Sequence, residues 1–349
     1  MKNLKAARIE KLGVVLEPDG SALEAEGVLN PASTRTRDGS LVLYTRSVAT
    51  GNVSRIGLVH VSNEAGSLQF ERAGFALTPQ ADYELRSSSG GQGCEDPRVT
   101  FVAALDLYLM VYTAFGDDGP RIAIATSKDA LSWQRLGVIS FPKRYRFNRD
   151  DKDAGFFPEP VVSPSGVLSL ALYHRPMVEV PVAQADNYYQ RTLAASPRRR
   201  QCIRIAYIPM AAIEKDLTAL LDVHESHLVL APSKRWGTLK VGAGSQPVKT
   251  SLGWLSIYHG VDVFPSSDGN FVRRYSAGLL LHDLREPHKI LYRSKEPLFV
   301  PDTKEELAGV VNNVVFPTAL DPRPDIADGV FDIYYGMADF RIGLARLYV

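Results

Sequence analysis

The chain has 349 residues, 45% hydrophobic and 23% charged, with 27 glycines and 22 prolines. This ordinary globular composition excludes disordered, collagen-like and disulfide-scaffold classes. With 40 Lys and Arg against 39 Asp and Glu, the formal charge is +1, so no basic footprint marks a nucleic-acid partner and no acidic tail is present.

The opening stretch, MKNLKAARIEKLGVVLEPDG, alternates charge with apolar residues and lacks a secretory core. No run approaches the ~18 apolar residues that span a bilayer, so no membrane partner is expected. Cys94 and Cys202 lie far apart, without CxxC or zinc spacing. A reducing, cytoplasmic setting is the expectation.

Strand-like runs then follow one another, rich in β-branched and aromatic residues and bounded by Gly, Pro, Asp and Ser. Five of them, SLVLYTRSV, LYLMVYTAF, VLSLALYHR, GWLSIYHGV and FDIYYGMA, each carry a tyrosine in the same setting: Tyr44, Tyr112, Tyr173, Tyr258 and Tyr335. Upstream of each stands a residue–proline pair: Asn30-Pro31, Asp96-Pro97, Glu159-Pro160, Gln246-Pro247 and Phe316-Pro317. Downstream, four groups contain an Arg-Ile-Gly/Ala strand, at Arg55, Arg121, Arg204 and Arg341. Segments 210–222 and 302–313 read as short helices, and 177–200 reads as an exposed loop.

A repeat of three or four strands per unit predicts radial repetition of small sheets. A prior of about 150 residues per domain would give two or three domains. The repeat instead predicts one all-β domain, a five-bladed β-propeller with short helical decorations, its blades at roughly 27–75, 94–140, 155–210, 240–295 and 310–349. A β-sandwich is the competing architecture.

In a propeller, inner strands start near the axis, so equivalent positions from different blades meet in one funnel. Those positions hold Asn30, Arg46, Asp96, Arg98, Glu159, His174, Arg175, His259 and Asp339. In GGQGCEDPRVT, Asp96 is a candidate proton donor and Arg98 a holder of a carboxylate or of substrate hydroxyls. The structural alternative is an Asx-Pro turn that only starts a strand. Strand alternation predicts that Glu95 and Asp96 point to opposite faces. Lys152, Arg175, Lys240 and His259, with His174, form a basic set suited to an anion. Taken singly, each of these is also explained as a solvated charge or a local ion-pair partner.

The remaining patterns exclude more than they offer. GGQG and GAGSQPVKT do not satisfy the P-loop pattern. His224 and His227 lack a third ligand, so no metal is expected. There is no GxSxG elbow and no HExxH. Arg198–Arg200 reads as a solvated basic run, and Trp133, Trp236 and Trp254 as packing residues, with Trp236 near enough to Lys240 to wall a pocket.

The motif string GVLNPASTR, GCEDPRVT, KDAGFFPEPV, LYHRP, KVGAGSQPVKTSLGWLSIYHGVD, NVVFPTAL and YYGMADFRIGLA, spread over about residues 27–346, resembles glycoside hydrolase family 130, the β-mannoside phosphorylases and related mannosidases. The resemblance implies a five-bladed propeller and inverting chemistry. It makes Asp96 the sole catalytic acid, its proton passing through the mannose 3-hydroxyl. Asn30, Arg46 and Asp339 match the mannose subsite. Arg175, Lys240 and His259 match phosphate-binding positions, and Lys152 another basic one. Glu95, Arg98, Asp153, His174 and Tyr258 complete the expected substrate-binding set. The partners implied are a β-mannoside and inorganic phosphate as co-substrate, with no further cofactor, and a homo-oligomer is compatible with the sequence. Cys94, Gln246, Met337 and the 177–200 loop depart from the family pattern; Met337 and the loop bear on substrate choice.

Chemistry points the same way. An inverting hydrolase needs an acid and a base ~6.5–9.5 Å apart, the base to activate water. Phosphate is already an anionic nucleophile, so a phosphorylase needs one acid and a basic pocket. Two rivals remain: an inverting β-mannosidase with Glu159 or Asp153 as base, and a non-catalytic glycan-binding propeller.

Overall fold

The computed structural model describes residues 7–64, 67–145, 150–177, 186–266 and 270–349. The fold is all-β with few, short helices, as the strand runs predict. The strands form five antiparallel groups. β1 (Arg8–Leu16) belongs with the last group, and the first comprises β2 (Gly27–Arg35), β3 (Leu41–Ala49), β4 (Val53–Glu64) and β5 (Ser67–Leu77). The second comprises β6 (Gln92–Val102), β7 (Leu107–Gly116), β8 (Gly119–Ser127) and β9 (Gln134–Val138). The third holds β10 (Asp151–Phe156), β11 (Val161–Val162), β12 (Leu168–Pro176), β13 (Ile203–Pro209) and β14 (Glu225–Leu230), with helix α1 (Asp186–Ala194) inserted before β13 and α2 (Met210–Lys215) after it. The fourth holds β15 (Lys240–Ala243), β16 (Val248–Thr250), β17 (Gly253–Pro265), β18 (Phe271–His282) and β19 (Ile290–Arg293). After α3 (Lys304–Leu307), the last group pairs β20 (Val315–Pro322), β21 (Val330–Met337) and β22 (Arg341–Tyr348) with β1.

Hydrogen bonding joins these into four sheets rather than five. The first two groups are linked by a short parallel bridge, Val53 to Gln92 and Ser54 to Gly93. Packing follows a cyclic order. One apolar cluster joins groups one and two through Tyr44, Ile56, Val99 and Tyr112. Others join two to three (Val111, Ile124, Phe156, Leu172), three to four (Tyr173, Tyr207, Trp236, Tyr258) and four to five (Ile257, Leu279, Leu320, Ile333). The fifth, with Val28, Leu43, Tyr334 and Ile342, joins the last group back to the first. Strands packed on both faces are rich in apolar residues, as β21 is, all of whose residues are buried, Asp332 among them as the partner of Arg323 and Arg346. Outer β1 and β5 are largely exposed or half-buried.

The repeated tyrosine is a packing device. All five are buried, and each hydroxyl finds a different partner. Tyr44 donates to the Ala130 carbonyl, Tyr112 to Glu84 at 2.6 Å and Tyr335 to Glu306 at 2.9 Å. The Tyr173 hydroxyl bonds Ser256 and His282, and Tyr258 accepts from Arg293. Glu84 and Glu306 are themselves fully buried, each paired with a cation, Arg135 or Lys11. Tyr112→Phe therefore costs about 1.5–3 kcal/mol in urea unfolding, the worth of a hydrogen bond to a charged group, with kcat unchanged.

Several expectations shift. The third group begins at Asp151 and runs on to Leu230, beyond 155–210, because β14 adds an outer strand. Residues 210–222 are not one helix: extended backbone at Asp216 separates α2 from a 3-10 turn at Leu217–Leu221. The 302–313 segment supplies a single turn. Within 177–200, residues 178–185 lie outside the described residues, and 186–194 are helical rather than loop. Arg200 is no solvated charge: its guanidinium donates to the Leu193 and Ala195 carbonyls at the end of α1 and to Thr238. No helix among the described residues is long and apolar enough to cross a membrane.

Candidate active site

Three inner strands break their pairing at equivalent places. Register shifts fall between Leu29 and Ala32, Glu95 and Arg98, and Lys152 and Gly155. At each bulge one polar residue adopts a left-handed conformation: Asn30 (φ 44), Asp96 (φ 48) and Asp153 (φ 58). Asn and Asp tolerate this region better than other residues with a side chain, and a bulge re-aims a side chain. The structural counterpart of Asn30 and Asp96 in the third unit is thus Asp153. Glu159, the residue the X-Pro repeat selects, is half exposed and paired with Lys249 at 2.5 Å.

The bulge also overturns the alternation argument at Glu95 and Asp96. Both carboxylates meet Arg46, Glu95 at 2.8 Å and Asp96 at 3.2 Å. Asn30 Nδ2 donates to the same Asp96 oxygen at 2.8 Å, and Lys152 Nζ to Glu95 at 2.9 Å. Arg98 donates to the Asp96 carbonyl and, across to the fourth unit, to the Gly244 carbonyl at 2.6 Å. Gly244 is required there, since a Cβ would stand 2.5 Å from the Pro317 carbonyl oxygen and 2.6 Å from that of Ile257.

A second cluster adjoins the first. Arg175 Nε donates to Asp153 at 2.5 Å, and its Nη1 donates to Gln201. His259 Nε2 lies 3.6 Å from the same Asp153 oxygen. Lys240 Nζ sits over the Tyr275 ring, 5.3 Å from its centroid, and its charge reaches both His259 and Asp339. His174 stands behind this cluster, fully buried, between Asp151 and Ser226 at 2.7 Å each, and Asp151 also accepts from the Arg175 backbone N–H. Tyr258 is not part of the site: its ring stacks on Trp236 in the core, on the strand face opposite His259. Trp236 likewise packs in the core instead of walling a pocket.

Five cations (Arg46, Arg98, Lys152, Arg175, Lys240) thus face four carboxylates (Glu95, Asp96, Asp153, Asp339). Burial works to raise the Asp96 pKa, but Arg46, Lys152, Arg98 and the Asn30 hydrogen bond hold it below the usual carboxylate range. Burial pushes the Asp339 carboxyl up to about 6, Arg46 opposing and Asp96 reinforcing the shift. Burial also pushes the His259 imidazole down to about 3, against Asp153 and with Arg175, Lys240 and Arg98. His259 is therefore a neutral donor at neutral pH. Because the folded pKa of Asp339 lies above its unfolded value of 3.8, its contribution to stability is full below about pH 4 and lost as pH rises through about 6. Asp339→Asn should accordingly raise Tm relative to wild type above pH 6, with the gap closing toward pH 4 in a thermal-unfolding series.

Among the described residues, four buried polar atoms in this region have no hydrogen-bond partner: Asn30 Oδ1, Arg98 Nη2, Gln246 Oε1 and His259 Nδ1. Buried polar atoms are normally satisfied, so their grouping marks a place built for a polar ligand. Sequence reasoning singled out most of this constellation but missed Gln201, Tyr275 and Asp151. The contrasting segments YSAG and RDDKD carry Tyr275 and Asp151, but nothing in their spacing marked them. Among the described residues no group of three His, Cys, Asp or Glu is placed to hold a metal ion, and His227 pairs with Glu225 at 2.7 Å. Cys94 and Cys202 are free and buried.

A buried acid among arginines, beside a cation-rich pocket in an all-β frame, is a site suited to a polar, anionic ligand and to proton transfer. The model of glycoside hydrolase family 130, described as beta-1,4-mannooligosaccharide phosphorylase, matches residues 85–161 and 222–349. A 1,2-beta-oligomannan phosphorylase of Thermoanaerobacter sp. (strain X514) is 30% identical over 299 residues, 84% of this chain and 79% of the relative. The chain belongs to glycoside hydrolase family 130. Its fold matches the beta-1,2-mannobiose phosphorylase of Listeria innocua in complex with beta-1,2-mannobiose, with a TM-score of 0.69, 20% identity and coverage of 97% and 96% of the two chains. A second family 130 structure, described with glycoside hydrolases that target beta-1,2-mannosidic linkages in Candida mannan, superposes with a TM-score of 0.68 at 21% identity over 95% and 90% of the two chains.

Proposed function

We propose that the protein is an inverting β-mannoside phosphorylase built as one five-bladed propeller domain. The cyclic order of the five apolar clusters supports the propeller reading, with β1 closing the last blade. In this reading Asn30, Arg46 and Asp339 hold the terminal mannose and Asp96 supplies the proton, relayed through the mannose 3-hydroxyl. Phosphate, held by Lys152, Arg175, Lys240 and His259, attacks the anomeric carbon from the opposite face and yields α-mannose 1-phosphate. In the free protein Asp96 is an anion stabilised by Arg46, Lys152 and Arg98. An arriving phosphate neutralises part of that field, lets the carboxyl take up a proton and couples nucleophile binding to acid function.

The observation that carries phosphorolysis over hydrolysis is the state of Asp153. Burial resists its charge, but Arg175 and Arg98 hold it far below the usual range, and its oxygen is engaged by Arg175 at 2.5 Å. A carboxylate so stabilised is a weak base for activating water. Glu159, the other candidate base, sits in a half-exposed pair with Lys249. Incubating β-1,2- and β-1,4-mannobiose with and without phosphate tests the reading. Turnover should require phosphate, and release of free mannose at an unchanged rate without it would contradict the proposal.

A further inference from the structure

We propose that the anion pocket selects an oxyanion that still carries a proton, with Asp153 accepting a hydrogen bond from the P–OH group of phosphate. This deepens, and rests on, the phosphorolytic reading above. The two groups assigned there to the nucleophile, Arg175 and His259, touch one and the same carboxylate oxygen, at 2.5 Å and 3.6 Å. An oxyanion that bridges them meets Asp153.

The surroundings leave Asp153 little room to withdraw. It is 4% exposed and held in a left-handed bulge conformation. On the far side, Gly242 pairs with His259 across β15 and β17, and a Cβ at Gly242 would stand 2.0 Å from Asp153 Oδ2 and 2.3 Å from His259 Cε1. The unpartnered buried atoms beside it include one donor, Arg98 Nη2, one acceptor, Gln246 Oε1, and His259 Nδ1, which accepts when the neutral ring turns its Nε2–H toward Asp153. The pocket therefore offers acceptors as well as cations, which suits a ligand that both accepts and donates.

Two unprotonated oxyanions in contact within a low-dielectric site repel strongly. A shared proton turns that contact into a charge-assisted hydrogen bond. Asp153 is held ionised by Arg175 and Arg98 against the cost of burial, and Arg175 Nε donates to it at 2.5 Å, so the proton belongs to the ligand. Phosphate and arsenate retain a proton as dianions near neutrality, whereas sulfate does not. The P–OH proton stays on phosphate throughout, and an unprotonated oxygen faces the anomeric carbon.

Arsenate and sulfate separate the possibilities. With wild type, arsenate should replace phosphate in releasing the leaving sugar, while sulfate competes roughly a hundredfold more weakly than arsenate, the penalty for an unmatched buried acceptor. Asp153→Asn, which presents an amide N–H, should tighten sulfate inhibition about tenfold or more and weaken phosphate. Sulfate competing with wild type as tightly as arsenate would overturn the proposal, as would an unchanged sulfate-to-phosphate ratio in the variant. Should the variant fail to fold, the wild-type comparison alone decides. If wild type turns over without phosphate dependence, the phosphorolytic reading fails separately. The protection that phosphate, arsenate and sulfate each give against thermal unfolding then still judges the pocket, with sulfate expected to give the least.

Discussion

Asp96→Asn should lower β-mannoside phosphorolysis by about a thousandfold, within the range set by loss of a positioned general acid, while mannoside binding persists. The amide keeps the size of the carboxyl and still presents an oxygen to Asn30 Nδ2, which donates to Asp96 at 2.8 Å. It loses the negative charge that Arg46 meets at 3.2 Å, yet Arg46 stays anchored by Glu95 at 2.8 Å and by Ser54 at 2.9 Å. The sugar-binding frame is thus preserved and only the transferable proton disappears. In the terms of mutant kinetics, kcat falls and KM for the mannoside changes little. Equal losses in kcat and in mannoside affinity, measured by steady-state kinetics and calorimetry, would show that Asp96 binds rather than protonates.

Arg175→Ala should be severe in a different way. It leaves Asp153, with 2% of its side chain exposed, without its closest counter-charge. Removing one partner of a buried pair costs about 3–5 kcal/mol, so urea unfolding should reveal a large loss of stability before any kinetic effect is read. Adding Asp153→Asn should recover much of that loss, because the stranded charge is gone. Lys240→Ala is the cleaner probe of phosphate binding. Its ammonium sits over the Tyr275 ring rather than in a buried ion pair, so the apparent KM for phosphate should rise with little change in Tm. A phosphate KM unaffected by Lys240→Ala would remove that residue from the pocket.

The repeat was legible because packing repeats. Inner strands buried on both faces demand apolar runs, and each buried tyrosine demands a partner for its hydroxyl, so Tyr44, Tyr112, Tyr173, Tyr258 and Tyr335 recur at fixed places. The residue before the proline marks a left-handed bulge residue in the first two units, at Asn30 and Asp96, but not in the third. In the third unit the chain breaks twice, at the bulge and again between β10 and β11, and the proline marks the second break. Glu159 therefore took the place in the reading that belongs to Asp153. Strand alternation failed at Glu95 and Asp96 for the related reason that left-handed backbone at Asp96 rotates the side chain toward its neighbour's partner. Tyr258 and His259 illustrate the converse. Alternation holds along β17, whose pairing with β18 runs without a register shift, so only His259 of the two faces the site. What the sequence could not supply was the pairing inside the charge cluster. The basic residues were visible, but not that Asp153 binds Arg175 and adjoins His259, nor that the Glu95 carboxylate joins Arg46 to Lys152.

The most direct test of the account follows product formation from a β-mannobiose and phosphate by combined ³¹P and ¹H NMR in a freshly mixed sample. The account predicts α-mannose 1-phosphate and free mannose, the leaving sugar, in a one-to-one ratio from the first turnovers. Two mannoses released per bond cleaved, with the phosphorus signal unchanged, would contradict it.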